Sequence, residues 1–158
     1  MDTKQEDIQL IKDKLIAYRE GELAIESNTE ALERLVNQLE GVGAVNITDM
    51  PRSPSPPRDR MSDLISQKIE LEEDIGADIE AQRQERQRLK HSIKKLKSAD
   101  EKAVITFRYL RCMAWEDVTD AMYGGKADYL DKYDSYARRT YYVHGRALCH
   151  LAKIEAKK

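Results

Sequence analysis

The sequence predicts an all-α protein, built from two long helices and a C-terminal module of shorter ones. Three observations predict it. Apolar residues recur at steps of three and four across residues 5–40 and again across 62–97, which is the period of a helix and not of a strand. All four prolines of the 158-residue chain fall at 51, 54, 56 and 57, so the strongest helix breakers are confined to one short stretch. Residues 98–158 then alternate helix-starting signals with short gaps.

The first segment, 1–40, carries Ile8, Ile11, Leu15, Tyr18, Ile25, Leu32, Val36 and Leu39 along one seam, as a coiled-coil helix does. Glu22 and Thr29 interrupt that seam. Residues 5–40 thus read as one long helix or as two collinear ones, with Gly21 and the capping box Ser27-x-x-Glu30 marking the place for a break and Gly41 and Gly43 the end. Residues 41–60, GVGAVNITDMPRSPSPPRDR, read as a Pro-rich linker, extended and mobile. Its RSPSPPR run also has the composition of a ligand for a proline-reading domain, although a plain tether accounts for it.

Residues 61–97 form the second long helix, with Ile65, Ile75, Ile79, Leu89, Ile93 and Leu96 in the seam. Its charge is polarised: residues 63–80 hold seven acids and one lysine, and 83–97 hold seven bases and one acid. Residues 1–40 carry five Lys/Arg against ten Asp/Glu, so an antiparallel hairpin sets the start of the acidic first helix beside the basic half of the second. Exposed ion pairs contribute little stability, so this argument concerns orientation. Two narrow stripes bury little area, which predicts further packing or a homodimer through the coiled coil.

Residues 98–158 read as a compact helical domain. Ser98 and Glu101 make a capping box for a helix to about Arg111, with Val104, Phe107 and Leu110 inward. Cys112-Met113-Ala114 is a tight gap. Trp115–Met122 is a short helix with Trp115, Val118 and Met122 on one face, and a loop follows over 123–134. The last helix starts at Ser135 as N-cap and buries Tyr136, Thr140, Val143, Ala147, Leu151 and Ile154. About half a turn away lie Arg138, Tyr142 and Gly145, with Tyr141 beside them and Arg139 and Arg146 on a flank. Residues 135–158 hold six Lys/Arg against one Asp/Glu, in a chain whose net charge is −2. One basic element on an acidic protein suits a module that binds one site, and argues against a nucleic-acid coat. Helix, tight turn, short helix, loop and basic helix is the order of a helix-turn-helix unit.

Three runs carry a family resemblance: Phe107-Arg108-Tyr109-Leu110, Trp115-Glu116-Asp117-Val118 and Val143-His144-Gly145-Arg146-Ala147-Leu148. In order and spacing they resemble region 4 of bacterial sigma factors, and more closely the small sigma-like late-gene regulators of Gram-positive phages and mobile elements, of the ArpU and RinA type. The resemblance covers about 60 residues, and the helical segments before them match by architecture. It implies a transcriptional activator that binds double-stranded promoter or operator DNA, with host RNA polymerase as a further partner. It also implies that Arg138, Arg139, Tyr141 and Tyr142 face bases and phosphates; Ser135, Gly145 and Arg146 complete the expected DNA-binding set. Two departures stand out. The loop before the last helix is longer than the family's tight turn, and Thr140 stands where the family has valine.

Other chemistry finds little support in the residues. There is no glycine-rich phosphate loop, HExxH or GxSxG, so no enzyme is expected. Cys112, Cys149, His144 and His150 lack metal-ligand spacing, so neither a metal nor a cofactor is expected, and two distant cysteines make no disulfide framework. No apolar run reaches the ~20 residues of a membrane span, which predicts a cytoplasmic protein; the resemblance implies the cytoplasm of a bacterial host. Two other roles fit the same helices: a small-terminase-like DNA-packaging subunit, and a helical adaptor that binds protein and no DNA.

Overall fold

The computed structural model describes residues 3–44 and 57–157. Every regular element among them is helical: α1 (Thr3–Ala44), α2 (Pro57–Lys94), α3 (Ala99–Ile105) continued by a π-helical turn (Thr106–Leu110), α4 (Trp115–Tyr123) and α5 (Tyr133–Glu155). The 45–56 part of the expected linker, with most of its proline-rich run, lies outside the described residues.

Of the two alternatives, one long helix or two collinear ones, α1 takes the first and is unbroken. Thr29 Oγ1 returns a hydrogen bond to Ile25 O at 2.8 Å, satisfying its hydroxyl inside the helix. At Gly21 a Cβ would meet the Gln82 amide of α2, the far end of a flexible side chain. The helix also runs past Gly41 and Gly43 to Ala44, and α2 opens at Pro57, where a missing N–H costs nothing. At its other end α2 stops at Lys94, not 97, and turns through Lys95 N to Ser92 O (3.1 Å) and Leu96 N to Ile93 O (3.0 Å).

The chain forms two compact units, residues 1–22 with 82–158, and residues 23–81. The first holds the core: Ile11, Leu15 and Tyr18 of α1, Ile93 of α2 and Leu96 of the turn after it share one cluster with residues of α3, α4 and α5. The compact C-terminal domain expected from residues 98–158 therefore draws in the start of α1 and the end of α2. In the second unit Ile75 is the one buried apolar residue among those described.

Within the first unit Ser98 caps α3 and accepts from Glu101 N at 3.5 Å. The Glu101 side chain does not return to the cap, as a full capping box requires; it turns to α5 instead. The π-helical turn shifts the facing period, so Ile105, Tyr109 and Leu110 are buried while Phe107 is only partly so. Cys112, at φ 55°, ends that helix in the left-handed region, where a non-glycine residue is uncommon. The chain then re-enters helix α4 at Ala114.

Candidate nucleic-acid interface on α5

Helix α5 buries one side against α3 and α4. Val143, Ala147 and Leu151 of the expected stripe are buried, and so are His144, Leu148 and Ala152, which widen it. Thr140 is fully buried, yet its hydroxyl is satisfied twice: by Tyr136 O at 3.0 Å and by Thr119 Oγ1 of α4 at 3.1 Å. A paired buried hydroxyl costs little, so threonine in the stripe leaves α5 anchored.

The start of α5 differs from expectation. The helix begins at Tyr133, with Lys132 at the cap position and no side-chain cap. Ser135 is therefore inside the first turn, and its N–H already bonds Lys132 O at 3.0 Å. Side chains across the preceding turn set this entry. Tyr129 hydroxyl donates to Asp120, Tyr136 hydroxyl donates to Asp128 at 2.8 Å, and Lys132 Nζ pairs with Asp128 at 2.8 Å. The longer turn is thereby tied to both flanking helices. It leaves Leu130 projecting at 88% exposure beside a shallow depression that Ser135 and Arg138 also line.

All seven residues expected to meet DNA are exposed: Ser135, Arg138, Arg139, Tyr141, Tyr142, Gly145 and Arg146. They are not equally free. The Arg139 guanidinium lies over the Tyr123 ring at 5.5 Å, and Tyr123 stacks on Tyr136 at 5.1 Å. Tyr141 packs on Trp115 at 4.8 Å, whose ring also carries Arg108 at 4.7 Å. Arg146 lies over Tyr142 at 5.9 Å and pairs with Glu101 at 3.4 Å. Arg138 makes no ion pair among the described residues. Aromatic rings thus hold three side chains in fixed directions, which lowers the entropy lost when they meet a ligand.

Two groups outside the expected DNA-binding set support this face. His144 is buried behind it, with Nε2 2.9 Å from the Tyr109 hydroxyl and its ring edge-on to Trp115 at 4.9 Å. Burial, with Lys12 and Arg108 adding to it, brings the His144 pKa down to about 4, and burial pushes the Tyr109 phenol up. A neutral imidazole and a protonated phenol therefore share this bond, its direction set by the imidazole tautomer. Glu101, 2% exposed, takes His150 Nδ1 at 2.8 Å and Arg146 Nη2 at 3.4 Å. A capping-box carboxylate gives no local sign that it will reach 45 residues further along the chain.

Among the described residues no helix is long and apolar enough to cross a membrane, and no group of His, Cys, Asp and Glu is arranged to hold a metal. No protein-family model matches the chain, and no curated protein or solved structure matches it either.

Proposed function

We propose that the protein is a sequence-specific DNA-binding transcriptional regulator of a phage or mobile element, acting on late genes as an activator. In this reading α3, α4 and α5 form a helix-turn-helix of the sigma region 4 type, and α5 is the recognition helix. One observation carries it. The face of α5 opposite its buried stripe presents Arg138, Arg139, Tyr142, Gly145 and Arg146 together, exposed and with no acidic residue between 135 and 154. The major groove is about 12 Å wide and admits one such helix, and arginines near its N-terminus suit guanine edges and phosphates. In the same reading α1 and α2 act as a hairpin that buttresses the domain.

The test begins with chromatin pull-down and sequencing to find the operator. Affinity is then measured for Arg138→Ala and Arg139→Ala at two salt concentrations. Loss of a base contact costs about 1–3 kcal/mol and relaxes specificity, whereas loss of a phosphate contact lowers the salt slope by about one. Unchanged binding by both variants defeats the reading.

A second reading, a helical protein-binding adaptor, is favoured by Ile65, Ile69 and Ile79, which stand 42%, 50% and 49% exposed along one side of α2. Gel shifts against genomic fragments separate the two, since the adaptor binds none of them. Native mass spectrometry separates the monomeric or dimeric regulator from a packaging ring.

A further inference from the structure

Arg139, Arg146 and Lys153 are spaced seven apart on α5, with Tyr142 and His150 between them. Fourteen residues of α-helix rise about 21 Å, so these side chains form one exposed strip of that length. Its C-terminal half borders a cleft of about 420 Å³. Lys95 and Lys97, from the turn after α2, face Arg146, His150 and Lys153 across it, with Glu101 in its wall. Glu101 is the sole acid there, and it is already engaged by His150 at 2.8 Å and Arg146 at 3.4 Å. Lys95, Lys97 and Lys153 make no ion pair among the described residues. The cleft is therefore a concave site with an excess of positive charge.

Size decides where such a site meets DNA. The end of α2 lies against the end of α5, since Ser92 bonds Glu155 there and both helices line one cavity. Two helices side by side, each about 10–12 Å across, are too wide for a groove of about 12 Å. On the DNA-binding reading, then, only the N-terminal half of α5 would enter the groove, and the C-terminal half would stand over the sugar–phosphate ridge.

The geometry points to this cleft as a phosphate-binding site, taking a backbone phosphodiester of the duplex whose groove holds the start of α5. This rests on the DNA-binding reading for the source of the phosphate, though not for its chemistry; a free phosphorylated molecule would use the same charges. The full chain is tested as wild type, as Lys97→Ala/Lys153→Ala and as Arg138→Ala/Arg139→Ala. Anisotropy with a 30-base-pair mixed-sequence duplex gives log K against log salt, and calorimetry follows inorganic tripolyphosphate. Circular dichroism confirms that each variant is folded. The lysine pair is expected to flatten the salt slope by about two. If duplex binding is absent in wild type but tripolyphosphate binds and the lysine pair abolishes it, the phosphate site stands and the DNA reading fails. If the arginine pair weakens duplex binding while the lysine pair leaves the slope unchanged, the cleft is overturned and the DNA reading survives. Wild type that binds neither probe also overturns it.

Discussion

His144 shows how a single buried ring couples the stability of α5 to pH. Its pKa falls from 6.5 to about 4 through burial first, then through the charges of Lys12 and Arg108. The unfolded chain therefore binds a proton that the folded chain refuses between those values. Folded stability is intact above about 6.5 and is lost as pH falls toward 4. At pH 5 the difference amounts to about 2 kcal/mol, since one pKa unit is about 1.4 kcal/mol. Urea unfolding at pH 7.5 and 5.0 measures it. His144→Gln, which still bonds the Tyr109 hydroxyl but does not titrate, should lose less over that interval by the same amount; equal losses would show that the imidazole is not held neutral. The sequence named this histidine but not its partners, because its surroundings depend on Tyr109 and Trp115, which come from two other elements.

At the scale of elements, α5 was the most legible part of the chain, because an amphipathic period needs no knowledge of the partner helices. Its buried stripe and its exposed arginines both follow from that period. Its first turn did not, since a serine three residues past the true cap imitates one. The entry is fixed instead by Tyr129, Asp128 and Tyr136, whose bonds cross the turn and leave no local pattern. Gly145 separates folding from binding on this helix. A Cβ there meets nothing within 4 Å, so Gly145→Ala removes a flexible residue from a helix interior at no steric cost. It should raise unfolding free energy by about 1 kcal/mol. If the duplex backbone approaches α5 at this point, the same methyl lowers DNA affinity. Stability and affinity thus move in opposite directions, read by thermal melting and anisotropy on one variant. An affinity that does not fall removes Gly145 from the interface.

For the molecule as a whole, the seam of α1 was readable, but that of α2 only in part, since Ile65 and Ile79, expected in it, are exposed; the division of labour between the two helices was not readable. Both seams continue through the two units, and periodicity alone cannot tell which stretch meets a third helix. Ile11, Leu15 and Tyr18 join the core that α5 closes, whereas Ile65, Ile69 and Ile79 stay exposed on the same kind of repeat. Residues 23–81 also carry thirteen acids against five bases, which opposes close self-packing. The first unit should therefore fold without the second. Gly21 and Gln82 lie in contact, so Glu22 and Gln82 are near enough to be joined by a Gly/Ser loop of about six residues in place of 23–81. That shortened chain keeps every residue of the main core cluster, and it should unfold in one cooperative transition with the near-ultraviolet signal of Trp115 preserved. In the full chain, amides of 23–44 and 57–81 should exchange with solvent sooner than those of α3 and α5, since local opening there exposes little apolar surface. A shortened chain that melts without cooperativity would mean that residues 23–81 hold the core together from outside it.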